Sequence, residues 1–370
     1  MYSNYKAMSR LEELYNEWIS LQPLKEEDQM RLNQKFMLEF NYNSNHIEGN
    51  TLTYGQTEML LMFGKVVDEA NMKDLEEMKA HNVGLKMMQT EALEKEYPLT
   101  ETFIRQLHRT LLREDYTVYR QMSDGSTTSY TVHAGQYKTR PNSVITVTGE
   151  RFEYASPEET PILMSDLIQW YNEAENQNKL SPVELAAVFH YRYIRIHPFE
   201  DGNGRIARLM VNYIFLRHNY PMIVVRSKTK DIYLKTLNKC DHSVGSIPTD
   251  GAHASLAQIK PFTEYIEKLV IDEITNNIKF ISEKAESVWW YNGAFVTFRS
   301  ENTIKLLNLM TNSPDITVRE IAEALNINKS AVQKQIKTLQ NKEYIIRVGG
   351  KKGHWHVAIV CTTPKGGTKK

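Results

Sequence analysis

Cysteine is nearly absent from this chain: Cys240 and Cys361 are the only two in 370 residues. They are too few and too far apart for a disulfide framework or a zinc site, so a reducing compartment, the cytoplasm, is expected. No apolar run approaches the ~20 residues that span a membrane, and no charged-then-apolar leader opens the chain. A soluble protein without membrane contact is therefore expected. Net charge is missing as well: 45 Lys and Arg balance 45 Asp and Glu, which excludes a global pull toward nucleic acid or lipid. There is no internal repeat. Low complexity is confined to the Pro/Gly/Lys-rich end, and residues 361–370 are expected to form a disordered tail.

What is present is helical periodicity, over Asp28–His46, Tyr54–Phe63, Asn71–Lys95, Thr100–Leu112, Glu158–Asn178, Pro182–Ile194, Gly204–His218, Asp231–Cys240 and Leu256–Glu286. Ser181 before Pro182, with Glu184 in the capping-box position, marks one start sharply. The length exceeds that of a usual single core, so two or more units are expected. The reading is an N-terminal helical region over 1–99, a core over 100–290 and a further domain over 295–360.

Between two helical runs lies His197-Pro198-Phe199-Glu200-Asp201-Gly202-Asn203-Gly204-Arg205-Ile206-Ala207-Arg208. A helix N-terminus offers unpaired N–H groups and partial positive charge, a ready anion site. Gly202 and Gly204 let a phosphate approach the backbone, and the Asn203 amide can donate to it. Arg205 and Arg208, three apart, share a helix face, and their planar forks match paired oxygens. Asp201 is the oxygen ligand Mg²⁺ prefers. His197 can take a proton from a hydroxyl near neutral pH. Together these residues suit a polyphosphate held beside a base.

This string resembles the signature of the Fic family, His-Pro-Phe-x-Asp-Gly-Asn-Gly-Arg-x-x-Arg, at every specified position. The resemblance spans roughly 44–286. It implies a mainly α fold, a helical bundle with a β-hairpin flap, and transfer of AMP from ATP to a Ser, Thr or Tyr hydroxyl of a protein, itself included. In that chemistry His197 would deprotonate the hydroxyl and Asp201 would hold Mg²⁺. Asn203 and the amides of Gly202 and Gly204 would bind the α-phosphate, and Arg205 and Arg208 the β- and γ-phosphates. Phe199 would anchor the loop. The full glycine pattern favours nucleotidyl over phosphoryl transfer, with ATP or another nucleotide such as UTP as donor.

The same resemblance gives meaning to Ser44-Asn45-His46-Ile47-Glu48-Gly49, which by itself reads as a helix C-terminus. Family members carry an inhibitory helix of pattern Ser/Thr-x-x-x-Glu-Gly/Asn, so Ser44 and Glu48 would form a brake in which Glu48 pairs with Arg208. A bidentate pair withdrawn from water would resist displacement by roughly 3–5 kcal/mol. The brake would act within one chain or across a homodimer. The glutamate could instead serve the reverse removal of AMP.

Asn142–Ala155 alternates as strands around Thr148-Gly149-Glu150. With the resemblance it becomes the flap, whose edge at Val144, Ile145 and Thr146 would pair with a target segment. The run Asp231–Asp241 resembles the helix over adenine, where Tyr233 and Leu237 are either nucleotide contacts or core. His190 reads as structural.

After Trp289-Trp290-Tyr291-Asn292-Gly293, three helical patterns (Asn302–Met310, Thr317–Leu325, Asn328–Lys342) and two strands resemble a winged helix-turn-helix. From Glu301 onward twelve Lys or Arg stand against five Asp or Glu. Lys329, Lys334 and Lys337 with Arg347, Lys351 and Lys352 would make a phosphate-facing surface for DNA within 301–360. A dimerisation or substrate-docking module is the other reading. The whole chain is then an autoinhibited transferase or a DNA-binding regulator whose core senses nucleotide.

Overall fold

The computed structural model describes residues 8–67, 69–121, 125–145, 151–283, 285–349 and 353–362. The chain opens with helices α1 (Arg10–Ser20), α2 (Glu26–Ile47), α3 (Tyr54–Phe63), α4 (Met72–Leu93) and α5 (Glu101–Leu112). Two hairpins follow, β1 (Tyr116–Gln121) with β2 (Thr127–Val132) and β3 (Ser143–Ile145) with β4 (Arg151–Glu153). Six helices come next: α6 (Thr160–Gln177), α7 (Pro182–Ile196), α8 (Asn203–Arg217), α9 (Lys230–Val244), α10 (Pro248–Ala252) and α11 (Lys260–Ser282). The remainder is β5 (Val288–Tyr291), β6 (Ala294–Thr297), α12 (Glu301–Asn312), α13 (Val318–Leu325), α14 (Lys329–Asn341), β7 (Ile345–Val348), β8 (His354–Val357) and β9 (Val360–Cys361). The protein is mainly helical, as the periodicity predicts.

Two compact units divide the chain: Met1–Gln22, Asn43–Asn50 and Glu77–Ile274 form one, and Pro23–Tyr42, Thr51–Glu76 and Thr275–Lys370 the other. The first is built around α8. Ile206, Ala207, Leu209, Met210, Ile214 and Phe215 are fully buried and Tyr213 nearly so. Arg205, Arg208 and Asn212 are buried beside them, so the helix is enclosed on every side at the centre of a bundle. Each large apolar side chain among them contributes roughly 1.5–3 kcal/mol by leaving water. Helix α7 packs beside it, started by a Ser181–Glu184 capping box with Pro182 in its first turn. Helix α1, absent from the sequence reading, has the same device in Ser9 and Glu12.

The second unit centres on Trp289, Leu306, Leu307, Met310, Ile321 and Val332, all nearly or fully buried. Strands β6, β5 and β9 form one antiparallel sheet, in that order, and β7 pairs with β8 as a two-stranded wing. Helices α12, α13 and α14 with this wing make the winged helix-turn-helix. Helix α14 begins where the Asn328 side chain accepts the Ala331 N–H at 2.7 Å. Described structure reaches beyond the expected tail start: Cys361 lies in β9, and Thr362 is buried with its hydroxyl on the Val288 carbonyl. Residues 363–370 fall outside the described ones, as do Lys351 and Lys352.

Candidate active site

The loop between α7 and α8 gathers the residues of the twelve-residue string. Helix α7 stops at His197, which takes left-handed backbone angles (φ 50°, ψ 61°) rare for a side-chain-bearing residue. Gly202 caps α8 at φ 78°, a conformation that glycine adopts without strain. The first helical bond of α8 runs from Ile206 N to Gly202 O, so the N–H groups of Asn203, Gly204 and Arg205 precede any intrahelical partner. Phe199 is fully buried and stacks on His108 at 3.8 Å.

The Asn203 amide does not face outward. Its Oδ1 accepts the Phe199 N–H at 3.0 Å, and its Nδ2 donates to Phe199 O at 2.7 Å and to His197 Nδ1 at 3.1 Å. Asn203 is thus a strut that closes the loop, beside the first backbone N–H groups of α8.

Asp201 stays anionic. Burial works to raise its carboxyl, but Arg205, a 2.6 Å hydrogen bond from the Tyr116 hydroxyl and another from the Gly202 N–H hold it below its usual value. Its side chain is 42% exposed, while Arg205 beside it is 4% exposed. Among the described residues Arg205 Nε is buried with no hydrogen-bond partner. One carboxylate facing an under-used guanidinium fits a magnesium–polyphosphate; no cluster of three His, Cys, Asp or Glu occurs among the described residues, and Mg²⁺ on phosphates needs none.

Arg208 is buried and fully engaged. Its Nε donates to Ser44 Oγ at 3.0 Å, and its Nη2 to Ser44 O at 2.8 Å and Glu48 Oε1 at 2.8 Å. The pair is made within one chain, through a single carboxylate oxygen and not fork to fork. Helix α2 ends at Ile47, so Glu48 lies in the turn beyond it, its N–H bonded to Asn45 O. The carboxylate leans against the head of α8: a Cβ added at Gly204 would collide with Glu48 Oε1. Glu48 therefore occupies both the arginine and the approach to the first backbone N–H groups of α8.

His197 stacks on Tyr154 at 4.0 Å and receives Asn142 Nδ2 on Nδ1 at 2.8 Å. Burial, and then the Lys138 ammonium, push it down to about 3, against Asp201, which works to raise it. Lys138 is buried; its Nζ donates to Asn142 Oδ1 at 2.8 Å, His197 O at 2.9 Å and Ile196 O at 3.0 Å. Burial lowers Lys138 to about 7, while three oxygen acceptors at a helix C-terminus favour its charged form. His108 bridges two loops, accepting the Gly135 N–H on Nδ1 at 2.8 Å, which leaves Nε2 to donate to Asp201 O at 3.0 Å. Sequence reasoning missed His108, Tyr116, Lys138 and His81, whose Nε2 lies 3.1 Å from Ser44 Oγ, and read Asn142 and Tyr154 only as part of the flap, because none shows its tie to the motif until the fold brings it there.

Tyr233 is 3% exposed, its hydroxyl 2.9 Å from His190 Nε2, and Leu237 is buried too. Both pack in the core of the unit, and the Tyr233 hydroxyl also stands in the field of Arg208 and Glu48. Burial raises the Tyr233 hydroxyl to about 12, with the nearby Arg208 offsetting part of that. In the flap, Val144 opposes Phe152 and Ile145 opposes Arg151; Thr146 lies outside the described residues.

A crystal structure of a Fic domain containing signaling protein from Bacteroides thetaiotaomicron is 57% identical, covering 73% of this chain and 96% of that one, with a TM-score of 0.69. The chain belongs to the Fic family. The model of the Fic/DOC family matches residues 98–215 of this Fic protein, and one described as winged helix-turn-helix DNA-binding matches 299–346. The structure of Fic-1 from C. elegans is similar at 27% identity, covering 72% of this chain and 69% of that one, with a TM-score of 0.55. Among curated proteins, protein adenylyltransferase fic-1 of Caenorhabditis briggsae is 27% identical over 71% of this chain and 45% of its own length. Protein adenylyltransferase Fic of Drosophila mojavensis is 31% identical over 54% of this chain and 36% of its own. The chain thus spans under half the length of these curated relatives. No helix among the described residues is long and apolar enough to cross a membrane.

Proposed function

We propose that this Fic protein transfers AMP from ATP to a Ser, Thr or Tyr hydroxyl of a protein, itself included, and that Glu48 holds it off at rest. The observation that carries the reading is Arg208, whose guanidinium is spent on Ser44 and Glu48 while that carboxylate leans on Gly204. An enzyme without a polyphosphate to exclude would have no use for an anion at that place. The free thiols Cys240 and Cys361 suit a reducing cytoplasm.

With the brake lifted, the first N–H groups of α8 would hold the α-phosphate, and Arg205 and Arg208 the β- and γ-phosphates. Asp201 would hold Mg²⁺, which supplies charge neutralisation on the phosphates when bound. The target oxygen attacks the α-phosphorus, pyrophosphate leaves, and His197 takes the hydroxyl proton. The backbone edge of β3 would align the target chain. Most of the acceleration is positioning and charge stabilisation.

The test is incubation of the full chain with labelled ATP. Glu48→Gly should label itself about fivefold faster than wild type, and adding His197→Ala should abolish labelling without unfolding the protein. Equal labelling of wild type and Glu48→Gly would remove the brake; labelling of the double variant would remove His197 from the chemistry. Labelled UTP in parallel reads the donor. A second role, DNA binding by the winged helix, is supported by the exposed Lys329, Lys334 and Lys337 of α14.

A further inference from the structure

His197 has two ring nitrogens, and the groups around them decide which carries the proton. Two amide nitrogens converge on Nδ1, from Asn142 at 2.8 Å and Asn203 at 3.1 Å. Neither amide can be turned over without loss. Lys138 Nζ lies 2.8 Å from Asn142 Oδ1, and Asn142 Nδ2 also donates to Phe199 O at 3.0 Å. A flipped Asn142 would set its oxygen against a carbonyl and its NH₂ against an ammonium. The Phe199 N–H fixes the Asn203 oxygen in the same way, at 3.0 Å. Nδ1 therefore faces two donors and must present its lone pair.

We infer that Lys138 and Asn142 are positioning residues that set the tautomer of His197, holding the neutral ring with its proton on Nε2 and so keeping it from acting as a base at rest. The inference rests on the transferase reading for its consequence but not for its geometry. Nε2, which has no hydrogen-bond partner among the described residues, already bears hydrogen and has no lone pair for a hydroxyl proton. Nδ1 has a lone pair, but two amide N–H groups cover it. For transfer, both amide nitrogens must leave Nδ1: Asn142 turns away, and Asn203, held by the Phe199 N–H at 3.0 Å, shifts with its loop. The ring then loses its Nε2 proton to water and gains one from water on Nδ1, a net exchange that leaves it neutral. Nε2 can now accept the proton of the attacking hydroxyl. This is a second restraint beside Glu48, placed on the base instead of the phosphate site. It also assigns a purpose to a buried lysine otherwise spent on two carbonyls and an amide.

Long-range ¹H–¹⁵N correlation of the ring nitrogens reads the tautomer directly, on the full chain labelled with ¹⁵N-histidine and with His197→Gln to assign the signals. Wild type should show an unprotonated Nδ1 and a protonated Nε2. Asn142→Asp replaces the donor with a carboxylate acceptor that can still meet Lys138, so the pattern should invert. Lys138→Met frees the Asn142 amide to turn and should give a mixture of both patterns. In a Glu48→Gly background, Asn142→Asp should raise AMP transfer from labelled ATP at least about tenfold. A protonated Nδ1 in wild type would overturn the inference, as would an unchanged ring pattern or unchanged transfer rate in Asn142→Asp. If the Glu48→Gly chain transfers no nucleotide at all, the transferase reading falls, and the wild-type ring spectrum still decides the tautomer.

Discussion

Asn203 and Glu48 show how a residue's energetic weight depends on what surrounds it. Glu48 contacts Arg208 at 2.8 Å, yet its side chain is 39% exposed while that of Arg208 is 3%. The 3–5 kcal/mol of a fully buried pair does not apply; a half-wet carboxylate is nearer about 1 kcal/mol. That corresponds to roughly fivefold in nucleotide affinity, which sets the expected gain in Glu48→Gly. Asn203 is 2% exposed and serves both the N–H and the carbonyl of Phe199. Asn203→Ala should lower stability by about 1–3 kcal/mol, read as a lowered urea midpoint without nucleotide. A residue whose only work was to hold phosphate would leave that midpoint unchanged. The motif itself was fully legible from sequence because its chemistry is contiguous. The tautomer of His197 was not, since Lys138 and Asn142 reach it only through a loop between two hairpins.

Punctuation helped at some elements and was overlooked at others, as at the Ser9–Glu12 capping box of α1. Helix α7 has Ser181, Pro182 and Glu184 at its start, and α14 has Asn328. Hairpin β1–β2 was missed because most of its residues are exposed, so no face alternates between apolar and polar. Strand β5 was missed for the opposite reason: Trp289 and Trp290 read as a boundary, although both are 2% exposed between β6 and β9. The helices α4 and α7 also carry a pH dependence that no motif announces. His81 and His190 are buried, and burial first, then Arg205 and Arg208 for His81 and Arg208 for His190, hold both rings neutral; His190 falls to about 3. The unfolded chain, with histidines near about 6.5, binds more protons than the folded one below that pH. Their stabilisation is complete above about pH 6.5 and lost as pH falls, at up to about 1.4 kcal/mol per pH unit for each ring. Urea midpoints at about pH 7 and about pH 5 should differ in that direction, and His190→Phe should reduce the difference by one ring's share.

At the scale of the whole molecule, neutrality conceals an uneven distribution. The chain carries 45 charges of each sign, but the last seventy residues hold twelve basic and five acidic side chains. Within the winged helix, Lys329, Lys334 and Lys337 are exposed on α14, and Arg347 on the wing lies 4.4 Å from the Trp355 ring centre. The core of this unit, with Leu306, Leu307 and Ile321 fully buried, leaves those lysines no part in packing, so charge-reversal there should not unfold it. If the surface meets DNA, binding is mainly phosphate neutralisation: the base-reading helix offers Gln and Lys but few of the Asn or Arg side chains that discriminate bases. Each lysine that releases a counterion contributes about −0.9 to the slope of log affinity against log salt. The full chain should therefore be retained on duplex DNA at low salt, with a slope of about −3 and little sequence preference. Lys329→Glu, Lys334→Glu and Lys337→Glu together should abolish retention while leaving self-labelling of a Glu48→Gly chain unchanged. No retention of wild type at low salt would make the winged helix a protein-docking module. Retention that survives the triple reversal would place the DNA contact elsewhere on the chain.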